Sequence, residues 1–256
     1  MTYKPPGPVW VPGMGEPPKP ELLTPNDGPQ SGLVKTWSVS ALDLFKKCPH
    51  AIFLKSVSKV KQERNSAADR GIKLHTAAED YVQGKTNKLT AEFKGFRQNV
   101  EDLRNKYKEG KVEIEGDWAF TTTWEPTGWY DKDVWGRIKL DVYEKQSATS
   151  AKIIDYKSGK KFGNELKHSF QLMVYAIGAF IRHPELDYVD ASCWYMDQKD
   201  ESLDKSFTRQ KAMLFMPRFE QQALKLTTCT DFPPRPSQNN CLYCPYKETC
   251  EWRYDS

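Results

Sequence analysis

From Trp37 onward the apolar positions follow two different periods, and the changes of period divide the chain. Ala41, Leu42, Leu44 and Phe45 predict a helix capped by Ser40 and ended near Cys48 and Pro49. Helical spacing returns over residues 67–84 and, in strongly charged sequence, over 90–109. The period then falls to two. Val112, Ile114, Gly116, Trp118 and Phe120 alternate with Glu113, Glu115, Asp117 and Ala119, which reads as a strand. Further strands are predicted over 135–143, 152–156 and 189–196, and apolar-rich helices over 165–183 and 208–227. Helices, a run of strands, then a helix and another strand imply an α/β fold with a sheet core flanked by helices.

Composition refines this picture at both ends. Residues 1–36 hold nine of the seventeen prolines and little periodic pattern, so they are expected to form an extended, partly disordered arm. Residues 37–256 form the folded unit, with a Pro- and Cys-rich tail over 229–256. The chain has 256 residues, enough for one large domain or two small ones. No stretch reaches the roughly 20 apolar residues that span a bilayer, and no basic-then-apolar signal pattern opens the chain. The expectation is a soluble, cytoplasmic protein without a membrane partner. In that reducing compartment six cysteines point to a metal site rather than to disulfides. The net charge of +4 permits a polyanionic partner without requiring one. Eight Trp and twelve Tyr supply core packing, and those left exposed can stack on unpaired bases.

The candidate chemistry lies on two neighbouring strands. Asp155 and Lys157 share one face of the strand that ends in Ser158 and Gly159, with Ile154 and Tyr156 opposite. On the preceding strand Gly136, Ile138, Leu140 and Val142 are expected on one face, and Arg137, Lys139, Asp141 and Tyr143 on the other. If these strands pair, Asp141 and Asp155 converge. Two carboxylates with water oxygens make a site for Mg²⁺ or Mn²⁺, and Lys157 beside them can stabilise charge on a phosphate. His75 and Glu79 share a helical face, and His75 is a further candidate ligand. Gln171 and Tyr175, also four apart, are candidates to meet the same site. Cys241, Cys244 and Cys250 form a tight trio that needs a fourth ligand. Cys48 is the first candidate and Cys229 a distant second. Cys193, in an apolar strand, reads as core. Three clustered cysteines plus one far upstream resemble an iron–sulfur ligand set more than the two close pairs of a zinc site, which stays the alternative.

In chain order, several stretches resemble the RecB-like branch of the PD-(D/E)XK nuclease superfamily. They are Ser38 to Pro49, Gly71 to His75, Gly136 to Asp141, Ile153 to Gly159, Gln171 to Tyr175, and the cysteine trio. Members with a C-terminal iron–sulfur cluster are the nearest in pattern: the AddB nuclease domain, CRISPR-adaptation nucleases and phage exonucleases. The resemblance implies a restriction-endonuclease-like mixed sheet flanked by helices. It implies a metal held by His75, Asp141, Asp155 and the main-chain carbonyl of Tyr156, with Lys157 catalytic and Gln171 and Tyr175 beside it. It also implies a [4Fe–4S] cluster on Cys48, Cys241, Cys244 and Cys250. The implied activity is a DNA exonuclease on single strands or duplex ends, in recombination, repair or phage DNA processing. DNA would be the main partner, with a recombination or single-strand-binding protein a further one. One departure stands out. The family's first acidic ligand falls three residues after the glycine, where this chain has Lys139. Asp141 lies on the same strand face about 6–7 Å along. Asp141 is therefore the expected substitute; if Lys139 instead disables the site, the alternative is a non-catalytic nucleic-acid-binding module.

Overall fold

The computed structural model describes residues 29–62, 66–199 and 201–254. The first 28 residues, where most of the expected arm falls, lie outside the described residues. Among the described residues one mixed sheet has six strands, in the order β2-β1-β3-β4-β5-β6. They are β1 (Val112–Phe120), β2 (Pro126–Thr127), β3 (Gly136–Lys145), β4 (Ser150–Lys157), β5 (Tyr188–Tyr195) and β6 (Ser202–Thr208). The β4–β5 pair is parallel, because helix α5 (Glu165–Arg182) carries the chain back between them. The other pairs are antiparallel.

Helices cover both faces. On one side α1 (Val39–Lys47), α5 and α6 (Arg209–Thr227) pack on Ala151, Ile153, Val189, Ala191 and Cys193. On the other, α3 (Ser66–Val82) and α4 (Arg97–Lys108) pack on Ile154, Tyr156, Trp194 and Met196. The alternation along β4 and β5 thus fills two cores at once, as a central strand requires. The face of α5 follows from its spacing: Leu172, Tyr175, Ala176, Ala179 and Phe180 are all buried. Gly178 lets this helix approach the sheet, since a Cβ there would lie 2.7 Å from Ile138 Cδ1.

The expected facing of β3 is corrected at one point. Ile138 and Leu140 do share a core, but Val142 packs in the opposite one. The partner strand changes face at the same level: Val112 lies with Val142, whereas Trp118 and Phe120 lie with Ile138. Between these positions Glu115 adopts a left-handed backbone (φ 53°), and the ladder skips Glu115 and Asp141. Both strands switch together, so register is preserved on either side: Ile114 pairs with Val142 and Gly116 with Leu140.

Residues 29–37 pack against the end of α6 and the start of β3. The Gly32 N–H donates to Thr227 O (2.8 Å) and the Leu33 N–H to Cys229 O (3.1 Å). Trp37 bridges to Gly136 in parallel and meets Trp124 and Trp135 edge-on, with centroids 5.5 and 5.8 Å away. A Cβ at Gly136 would stand 2.8 Å from the Trp37 ring, so only glycine admits this packing.

Smaller departures have local causes. Ser38, rather than Ser40, caps α1: its Oγ accepts the Ala41 N–H. The helix expected over 90–109 opens as a 3₁₀ segment, Ala91–Phe96, before α4. Strand β6 was not expected from the sequence; as an edge strand it buries Phe207 alone and carries little alternation. Among the described residues no helix is long and apolar enough to cross a membrane.

Candidate active site

The β3–β4 ladder ends at Val142 and Ile154. The next residues on each strand are Asp141 and Asp155, so the two carboxylates meet where the strands begin to separate. Asp141 fills the gap in the ladder with its side chain: Oδ2 accepts the Tyr156 N–H at 2.7 Å. Its Oδ1 lies 2.9 Å from Nδ1 of His75, which α3 presents from the second core side. Asp155 is 4% exposed. Its Oδ1 accepts from Gln171 Nε2 (3.0 Å) and the Tyr175 hydroxyl (3.3 Å), both on α5. Its Oδ2 lies 2.6 Å from Lys157 Nζ, which also donates to Gln171 Oε1 at 2.8 Å.

This arrangement is charge-compensated. Burial opposes protonation of His75, but its hydrogen bond to Asp141 and the charges of Asp141 and Asp155 outweigh it and raise its pKa. Burial pushes the Asp141 carboxyl up, partly offset by the His75 hydrogen bond, and the Asp155 charge pushes it further. Burial works against the Lys157 ammonium, yet Asp155 beside it raises its pKa overall. Two carboxylates facing an ammonium and a readily protonated imidazole form a site close to neutral. Two carboxylates and an imidazole are also a donor set suited to a hard or borderline divalent ion. Among the described residues no group of three or more His, Cys, Asp or Glu stands at metal-binding spacing, the carboxylate oxygens being engaged by the chain itself.

The structure therefore brings together His75, Asp141, Asp155, Lys157, Gln171 and Tyr175. Lys139 stands apart, exposed and paired with Glu115 at 2.9 Å. Glu79, on the same helix as His75, pairs instead with Lys85 at 3.4 Å. Sequence reasoning missed two of three supporting groups. Arg70 forms a two-pronged pair with Asp197 and donates to Ser158 O at 3.1 Å, fastening the loop after β4 to α3. Gly71 gives that loop room, since a Cβ there would lie 3.3 Å from Ser158 Oγ. His168 Nδ1 lies within hydrogen-bond distance (2.7 Å) of the Tyr195 hydroxyl under the same sheet face. Only Gly71 carried a signal, as part of the pattern leading to His75.

A second cluster lies at the other end of α1. Cys48 follows α1, and Cys241, Cys244 and Cys250 come from the tail around the short helix α7 (Gln238–Leu242). All four are free thiols lining one cavity with Ala51 and Leu54. The Arg235 N–H donates to Cys48 Sγ and the Tyr254 N–H to Cys241 Sγ, each at 3.4 Å. Burial, with the neighbouring thiols adding to it, pushes the Cys244 thiol up. Cys229 does not line this cavity; its thiol donates to Asp231 O at 2.8 Å. Cys193 is fully buried in the core.

A mixed sheet flanked by helices, with convergent carboxylates and a lysine where two strands part, is the architecture of restriction-endonuclease-like nucleases. The sequence profile of the PD-(D/E)XK nuclease superfamily matches residues 36–251, and the chain belongs to that superfamily. Similar solved structures include the protein SSO0001 (16% identity, TM-score 0.47, covering 86% of this chain and 88% of that one). Another is a protein from Eubacterium rectale described as a candidate exonuclease (14% identity, TM-score 0.48, covering 94% and 96%). No curated protein matches the chain.

Proposed function

We propose that this chain is a divalent-metal-dependent deoxyribonuclease, acting as an exonuclease on single-stranded DNA or duplex ends in recombination, repair or phage DNA processing. The observation that carries the reading is the meeting of Asp141, Asp155 and Lys157 at the point where β3 and β4 part. Asp141, Asp155, His75 and the Tyr156 carbonyl would hold Mg²⁺ or Mn²⁺. Bound there, such an ion supplies charge neutralisation at the phosphate and a water acidified enough to attack it. Lys157 offers its ammonium to the developing negative charge on the phosphate oxygens. Gln171 hydrogen-bonds Lys157, Asp155 and the Tyr175 hydroxyl together. Tyr156, whose N–H fixes Asp141, couples the two strands. The displacement of Lys139 toward Glu115 favours an active site over a binding module, because the lysine does not take the ligand's place.

A [4Fe–4S] cluster on Cys48, Cys241, Cys244 and Cys250 belongs to the same reading, with Zn²⁺ as the alternative metal. What supports this is the chemistry of the donor set: four free thiols line one cavity, two of them accepting backbone N–H groups, and they would have to draw together to ligate. It lies apart from the carboxylates and would tie the start of the folded unit to its tail.

The test is digestion of 5′- and 3′-labelled single- and double-stranded DNA with Mg²⁺ or Mn²⁺, against EDTA and Lys157→Ala controls. Cleavage lost in both controls supports the reading. Cleavage that persists in either control, or absence of cleavage by protein loaded with its cluster, overturns it.

A further inference from the structure

From a groove that opens beside Lys157 and Gln171, we infer that the preferred substrate is an unpaired DNA strand, threaded between α1, α5 and α6 with a base stacked at Phe170. This rests on the nuclease reading and specifies its substrate. The groove holds about 480 Å³ of solvent space, within the range of about 300–1,000 Å³ typical of pockets that enclose small organic ligands. That is room for a nucleotide or two rather than for a duplex. Its floor reaches Lys157 and Gln171, so whatever fills it touches the candidate active site.

The walls divide by chemistry. Lys46 from α1, Lys167 from α5 and Arg218 from α6 line it against one carboxylate, Asp43, which is already paired with Lys167 at 3.0 Å. That excess of positive charge suits a phosphate backbone. Between these cations carbon predominates, with Ser40, His168, Gln171 and Gln222 adding neutral polar groups. Phe170 is 39% exposed and carries the Arg218 guanidinium over its ring, 4.8 Å from the centroid. The edge-on contact with Phe219 braces that ring at a centroid distance of 6.3 Å. Leu166, one turn earlier on the same helix, is largely exposed. A duplex keeps its bases stacked inside and presents phosphates outward, so it would gain nothing from an aromatic wall between cations. An unpaired strand offers both surfaces at once: π-faces for Phe170 and phosphates for Lys46 and Arg218.

The test is fluorescence anisotropy of the full chain, with its cluster loaded and EDTA present, on a labelled single strand and on a blunt duplex of equal length. Binding is read without a divalent ion, so it remains readable even if no DNA is cleaved. Tighter binding of the single strand is expected. Phe170→Ala is expected to weaken single-strand binding about fivefold or more without altering its salt dependence, because it removes stacking and no charge. Lys46→Gln keeps Phe170 and the fold, and should lower the slope of log K against log salt by about 0.7. A 2-aminopurine placed in the strand should lose fluorescence on binding wild type and keep it with Phe170→Ala. Equal affinity for the duplex, or single-strand binding unmoved in both variants, overturns the inference. Cleavage of single strands by wild type alongside unmoved variants overturns the groove alone and leaves the nuclease reading standing.

Discussion

Asp141 and Asp155 stand opposite each other at the first position where β3 and β4 no longer pair, one residue beyond the couple Val142 and Ile154. Asp141 stays bound to the partner strand through its carboxylate and the Tyr156 N–H, so the strands part without leaving that donor orphaned. The geometry makes specific demands on substitution. Asp141→Asn should keep a hydrogen bond to Tyr156 while losing the charge that holds His75. The expectation is a folded protein whose cleavage falls by about 10²-fold or more, measured as a metal-titrated rate on labelled DNA. Lys139→Ala removes a half-exposed pair with Glu115, worth at most about 1 kcal/mol. It should leave cleavage within a few-fold of wild type. The reverse ranking of these two variants would show that position 139, not 141, governs the site.

How much of this was legible differs from residue to residue. Asp155 and Lys157 share a face because alternation is local, and β4 is regular. Pairing of β3 with β4 followed from their short separation. The place of Val142 was not legible: it depends on Glu115, a residue on another strand, taking a left-handed backbone, and Gly116 beside it marks an irregularity without saying which face follows. The convergence of Cys48 with the tail could be guessed from chemistry alone, because the path of residues 229–241 carries no periodic pattern. Lys139 was ambiguous for the same reason. Sequence spacing puts it where an acid belongs, and only the fold turns it toward Glu115.

Lys157 and Asp155 form a buried pair, 20% and 6% exposed in their side chains. Removing either partner leaves the other's charge without compensation, at a cost of about 3 kcal/mol or more. Lys157→Ala should therefore both abolish cleavage and lower the melting temperature in EDTA, while Lys157→Arg should recover much of the stability but not the rate. Thermal melts set beside cleavage rates separate the two effects. An unchanged melt for Lys157→Ala would contradict the buried pairing.

His168 predicts a dependence of stability on acidity. Burial, with help from the Lys157 charge, depresses its pKa to about 4, and its Nδ1 shares a hydrogen bond with the Tyr195 hydroxyl. In the unfolded chain the ring titrates near 6.5. Between these values the unfolded state binds more protons, so stability should fall as pH drops from 6.5 toward 4, by up to about 3 kcal/mol. His75 has the opposite sign. Its raised pKa gives stability that is complete below 6.5 and lost at higher pH; within the lower window the pushed-up Asp141 carboxyl opposes His168, so the His168 contribution is read as the difference between wild type and variant. Denaturant melts across that window should show a shallower slope in His168→Gln. An equal slope would place the proton elsewhere.

The cysteine cavity gives the last prediction. Cys48 lies almost two hundred residues from the trio, and a metal group joining them would assemble only in the folded chain, so its binding free energy would add to the stability of the fold. Cys244→Ser should remove iron and sulfide together, bleach the broad visible absorbance expected of the cluster, and lower the melting temperature well beyond a surface change. Cys229→Ser should do none of these, because its thiol donates to Asp231 O outside the cavity. Elemental analysis separates the alternatives: iron with equal sulfide supports the cluster, whereas zinc at one per chain assigns the four thiolates to Zn²⁺. Protein that carries neither metal, yet melts and cleaves as before in Cys244→Ser, would show that the four thiols only pack together.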